Sequence, residues 1–189
     1  MATPVVYILN EIMKLYEENG YPIKSFNLFG FRDERDIKKD VINDQLGFFT
    51  EKELFVCPGT TDPGVYWVTS AERNKKGTLH LLPGYHERIW TFGKHKGYEA
   101  LVNDPKKCKP TKGWRDTDYD FTRGPKDIVV CDYFGLNFHR MHESLVAKLI
   151  GKYSSACQVV QKSKDFEYIL QRAKDSGLKT FDYALLEVK

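Results

Sequence analysis

From Tyr21 to about Tyr133 the chain is cut into short pieces by turn-forming groups: Pro58-Gly59, Asp62-Pro63-Gly64, Lys76-Gly77, Pro83-Gly84 and Gly124-Pro125. Glycine adopts positive φ without strain, and proline fixes φ and lacks a donor, so such pairs punctuate structure and break helices. The runs between them have the length of strands and are rich in β-branched and aromatic residues. Strands are expected at 25–31, 53–57, Val65–Thr69, 78–82, 87–92 and 127–133. The 11 Tyr and 12 Phe point the same way, toward strands and aromatic-lined clefts and away from a helical bundle.

Helical spacing is clearest at the N-terminal end. In residues 4–19, Val5, Ile8, Leu9, Ile12, Met13, Leu15 and Tyr16 share a broad face, with Thr3 as N-cap, Pro4 at the first helical position and Asn19-Gly20 as the stop. Shorter helices are expected at 142–152 and 165–173, and a closing strand at Thr180–Val188. With 189 residues and no repeat or linker, the prior is one domain over 1–189. The expected fold is mixed α/β and β-dominated, a small β-sandwich or partly closed barrel with peripheral helices and the N-terminal helix first.

The net charge of +3 is small, and basic and acidic residues alternate along most of the chain, so no nucleic-acid footprint is present. The densest basic run, residues 106–112, reads as a solvated loop. Cys57, Cys108, Cys131 and Cys157 show neither zinc-finger spacing nor the density of a disulfide scaffold. No stretch reaches the roughly 18 apolar residues that a membrane span needs. The N-terminus lacks the basic segment of a secretory signal, so the expectation is a cytoplasmically made protein that would reach a substrate outside the membrane only by delivery.

Two segments carry candidate chemistry. Residues 134–139 end an apolar, strand-like run on His139. Farther on, Ser154, Ser155 and Ala156 precede Cys157, and Gln158 leads into Val159-Val160. A thiol with an upstream imidazole is the minimal equipment for nucleophilic thiol catalysis. An imidazole pairing with the thiol raises its thiolate fraction, and small residues before the nucleophile let backbone N–H groups approach a developing oxyanion. His142 is a second candidate base.

The segment 134–160 resembles the L,D-transpeptidase (YkuD-like) catalytic domain, which pairs a strand His with a downstream Ser/Thr-His-Gly-Cys motif. A divergent group with a Ser-Ala-Gly-Cys-Gln type of signature, associated with phages and gut bacteria, is nearer still. The resemblance places His139 as base, Cys157 as nucleophile and Ser154 at the Ser/Thr position. Three positions depart from the family: Ser155 stands for the second His, Ala156 for Gly, and Gln158 for the usual Arg or Asn. If position 156 requires φ > 0, alanine there costs on the order of 1 kcal/mol. The resemblance implies a cysteine enzyme acting on peptidoglycan stem peptides through a thioester, hydrolytic more than cross-linking, with no cofactor. Ser155 and Ala156 would then shape the oxyanion loop, and Gln158, Tyr85, His86 and Trp67 would line the substrate site. The alternatives are an inactive wall-binding or virion protein on the same fold, and an unrelated cysteine peptidase or amidase with His142 as base.

Other constellations read more simply. Asp116, Asp118, Asp120 and Asp127 occupy positions 1, 3, 5 and 12 of a calcium-type loop, but Phe121 stands where that loop has glycine, so turn capping is the commoner explanation. His80, His86 and His95 lack zinc spacing. The charge run at residues 32–36 reads as a solvated turn with internal ion pairs.

Overall fold

The computed structural model describes residues 7–35 and 39–188. Along Asn27–Asp33 (β1) every residue but the last is buried, and successive side chains serve different cores. Leu28 joins an interior cluster with Leu46, Phe48, Trp90, Phe138 and Tyr183, whereas Phe29 and Phe31 join a cluster with Ile12 and Tyr16. Alternation along a strand separates the two faces. One face fills a barrel; the other is covered by the helix Leu9–Glu18 (α1).

The barrel is closed and has eight strands. Besides β1 these are Asp44–Phe49 (β2), Leu54–Thr60 (β3), Gly84–His95 (β5), Tyr98–Val102 (β6), Asn137–Arg140 (β9), Gln158–Val160 (β10) and Thr180–Val188 (β11). Their order is β1-β11-β5-β6-β9-β10-β3-β2, with β1/β11 and β9/β10 parallel and the other pairs antiparallel. Thr78–Leu81 (β4), Thr111–Asp116 (β7) and Ile128–Asp132 (β8) form a separate three-stranded sheet in the order β4-β7-β8. The fold is therefore mixed α/β and β-dominated with its N-terminal helix first, as expected, and closure of the barrel leaves its strands no free edge.

The helix Ser163–Asp175 (α3) packs on β9 and β10 through Phe166, Ile169, Leu170 and Ala173, a 3.6-residue stripe. Each large apolar side chain on that stripe contributes about 2 kcal/mol by leaving water. The helix α1 is pinned by Tyr16 Oη, which donates to the Leu28 carbonyl at 3.2 Å, and its start is closed by the Ile8 N–H donating to Glu11 at 3.0 Å. The expected caps Thr3 and Pro4 lie outside the described residues.

Two expected elements are corrected. Val65–Thr69 (α2) is a short helix and not a strand, because the Val65 N–H is capped from across the fold by the Asp40 carboxylate at 3.0 Å. Residues 142–152 form no helix. His142 Nδ1 accepts the N–H groups of Ser144 and Leu145, both at 3.1 Å, and that local turn competes with helical pairing. The charge run is also corrected. Arg32 is buried and donates to Thr61 Oγ1, Thr61 O and Leu81 O, with Asp62 at 3.0 Å, while Arg35 and Asp33 do form the local pair; Asp36 lies outside the described residues.

Candidate active site

Strands β9 and β10 lie side by side, with Gln158 opposite Phe138 and Val159 opposite His139. Phe138 and Gln158 point into the barrel, so His139, Val159 and the preceding Cys157 fall on the outer face. Cys157 indeed packs with Val159 and Met141, outside the interior cluster. The β5–β6 hairpin turns at Lys96-Gly97, with φ of 47° and 92°, and folds His95 and Tyr98 over this face.

The imidazole of His139 is held in one tautomer. Its Nδ1 lies 2.7 Å from the Arg140 carbonyl, an acceptor, so Nδ1 carries the proton; Tyr98 Oη sits 3.1 Å from the same nitrogen. The unprotonated Nε2 is buried and has no hydrogen-bond partner among the described residues. The ring stacks on His95 at 4.1 Å between centroids. Burial, and then His95, push its pKa down to about 3.

Cys157 is 7 % exposed, and burial raises its thiol above the ordinary value; hydrogen bonding from Asn137 and the charge of Lys96 act the other way. The sequence suggested that His139 would enrich the thiolate. In the free protein burial dominates instead: it raises the thiol and lowers the imidazole, and no hydrogen bond joins Cys157 to His139.

The loop before the sulfur is strained and clamped. Ala156 adopts φ 130°, a region L-residues avoid at a cost of order 1–3 kcal/mol. Its N–H donates to Ser154 Oγ at 3.2 Å, and Ser154 Oγ donates onward to the Cys157 carbonyl at 2.9 Å. Its carbonyl accepts from Gln158 Nε2 at 3.3 Å. Gln158 is in turn fixed by Tyr183 Oη, which donates to Gln158 Oε1 at 2.6 Å. Tyr183 reaches that far because β1 carries Gly30, where a Cβ would stand 2.0 Å from Tyr183 Oη.

Cys157 and the exposed Ser155 open onto a cleft of about 550 Å³, walled by Trp67, Arg115, Asp132 and Phe134. Among the residues expected to meet substrate, Trp67 lines this cleft. Gln158 does not, being fully buried in the barrel, and neither Tyr85 nor His86 lines it. Tyr85 Oη donates to Asp182, and His86 Nε2 donates to the Leu82 carbonyl at 2.8 Å. The Ala156 N–H is occupied by Ser154, so it is not a free oxyanion donor. His142 spends Nδ1 on its own turn.

His95, weighed in the sequence only for zinc, was passed over as a site residue, as were Tyr98, Asn137 and Arg115. The Lys96-Gly97 turn was a legible hairpin signal for the first two, and Asn137 is two residues from His139 on one strand face. Arg115 has no local signal, since it arrives from a different sheet.

Of the calcium-type loop, Asp116, Asp118 and Asp120 bring carboxylate oxygens within 4.8 Å of one another. Asp127 stands apart, accepting from Thr117 N at 2.9 Å and Gly124 N at 2.7 Å, and Asp116 accepts from Asp120 N and Phe121 N. The loop ties itself together by turn capping. A second cavity of about 990 Å³, lined by Arg32, Asp62, His80 and Trp114 among others, contains none of the expected catalytic residues.

No protein family, curated protein or solved structure matches the chain.

Proposed function

We propose that the protein is a cysteine-dependent enzyme of L,D-transpeptidase type that cleaves peptidoglycan stem peptides, with Cys157 as nucleophile and His139 as general base. The observation that carries this reading is the unpartnered, unprotonated Nε2 of His139 on the same outer strand face as a thiol that opens onto a cleft. As the sulfur attacks the scissile carbonyl carbon, its proton passes to Nε2, the C–N bond breaks with that proton delivered to the leaving amine, and a thioester remains. Water then attacks the thioester, its proton is taken by Nε2, and the thiol is regenerated. Tyr98 and the Arg140 carbonyl hold the ring through Nδ1, so that Nε2 accepts the proton and gives it up again.

The test is release of D-alanine from a purified stem tetrapeptide, together with mass spectrometry for an acyl adduct on Cys157. Activity is expected in the native protein, none in Cys157→Ala, and a loss of about 10²-fold or more in His139→Gln. Absence of both turnover and adduct in the native protein overturns the enzyme reading. The burial that keeps the thiol neutral favours one other reading, a wall-peptide binder without turnover. That reading expects stem-peptide binding to be equal in the native protein and Cys157→Ala, with no product in either.

A further inference from the structure

Arg115 enters the cleft from β7, at the side of the three-stranded sheet, and reaches the cavity onto which Cys157 opens. Its guanidinium is half-buried. Nη1 donates to the Gly77 carbonyl at 3.0 Å, and the group lies over the Phe134 ring at 5.4 Å. No carboxylate pairs with it among the described residues; Asp132 lies near enough to act through its charge but makes no ion pair. Burial pulls the guanidinium below its ordinary pKa, and Asp132 only partly offsets this. A partly desolvated guanidinium that lacks an ion pair gains from a carboxylate arriving in the plane of its N–H groups, through charge-assisted hydrogen bonds.

We infer that Arg115 is the receptor for a carboxylate of the ligand bound in the cleft onto which Cys157 opens. The inference deepens the reading of Cys157 as the nucleophile of a peptide-cleaving enzyme. Gln158, which follows the nucleophile, is sealed inside the barrel and does not line the cleft, whereas Arg115 does. The cleft also carries the acids Glu72 and Asp132, both exposed. Arg115 therefore sets orientation: the carboxylate end of the ligand lies toward β7.

The test compares two alkylating reagents of nearly equal size, iodoacetate and iodoacetamide, at Cys157. Rates are read by peptide mass spectrometry, with exposed Cys131 as internal reference. Iodoacetate carries the carboxylate; iodoacetamide reports thiol reactivity and access alone. The iodoacetate-to-iodoacetamide rate ratio is expected to be higher at Cys157 than at Cys131. It should fall about tenfold in Arg115→Gln, the size of a lost charge-assisted contact, and only partly in Arg115→Lys; any change in thiolate fraction acts on both reagents and cancels in the ratio. A ratio at Cys157 that is the same in native protein and Arg115→Gln overturns the inference. Because neither reagent is a substrate, this outcome is independent of whether stem peptides are cleaved. With stem peptides, amidating the terminal and side-chain carboxylates in turn identifies the one Arg115 holds, as the one whose loss raises KM in the native protein but not in Arg115→Gln.

Discussion

Replacing Ala156 by glycine isolates the strain stored next to the nucleophile. In an ordinary buried strand position Ala→Gly loses a methyl group from the core, about 0.8 kcal/mol, and adds about 0.5–1 kcal/mol of backbone entropy to the unfolded chain. Ala184 is such a position: fully buried in β11, with no left-handed backbone. Ala184→Gly is expected to destabilise by about 1.5 kcal/mol. Ala156 is equally buried, but at φ 130° the same change also releases about 1–3 kcal/mol of backbone strain. Ala156→Gly should therefore be neutral or stabilising by about 1 kcal/mol, measured by urea unfolding with the slope held constant. A cost equal to that of Ala184→Gly would refute the claim that the loop is strained.

Gln158→Leu removes the clamp on the Ala156 carbonyl and should slow Cys157 alkylation by iodoacetamide; combining it with Ala156→Gly should restore part of the rate, and strictly additive effects would sink the coupling. Gly30→Ala drives a methyl against Tyr183 Oη and should cost about 1–3 kcal/mol in urea unfolding, whereas Gly97→Ala, where nothing lies within 4 Å, should show only the smaller penalty of positive φ. Burial, and then Asp62, raise the Asp44 carboxyl to about 7, so the folded state binds a proton the unfolded chain has released, and stability from this group is lost as pH rises from 4 through 7. His139 runs the opposite way: its pKa is depressed to about 3, the unfolded chain binds the proton first, and stability falls as pH drops below 6.5; His86 and His95, both lowered by burial, share that sign. Asp44→Asn should therefore unmask a steeper loss of melting temperature toward acid pH, and His139→Gln a shallower one; identical acid slopes in the native protein and both variants would refute the assignment.

The parts of the fold that were legible in the sequence are those set by local chemistry. Turn glycines and prolines marked the boundaries of β4 and the start of β8, and the helix expected at 165–173 is α3. What escaped was set by distant partners. Val65–Thr69 has strand-forming residues, yet Asp40 caps its first N–H and makes it a helix. Pro58-Gly59 reads as a turn but lies inside β3, where Pro58 pairs with Gln45 on one side and Gly59 with Val160 on the other. Arg32 sits in a run of alternating charge that looks solvated, and only the folded barrel together with β4 of the separate sheet brings Thr61, Asp62 and Leu81 around it. The site divides along the same line. Cys157, His139 and the loop-ordering Ser154 stand out by type and spacing, whereas Arg115 is identified only by the packing of a separate sheet against the barrel.

Gln158 shows why a residue next to a nucleophile need not face the ligand. Strand alternation sends Cys157 outward and therefore turns Gln158 inward, so a polar side chain that looks available in sequence is obliged to find its partners inside the barrel. It finds them in Tyr183, Thr61 and the carbonyl of Ala156, and Thr61 O is shared with Arg32. The buried polar chain from Arg32 to Ala156 thus ends one residue from the sulfur. A loop held at a φ that alanine resists stays there only while both ends of its peptide are tied, the N–H by Ser154 and the carbonyl by Gln158. The inward-facing residue therefore contributes to the outward-facing site through the backbone between them, and the barrel interior, not the cleft, determines where the thiol points.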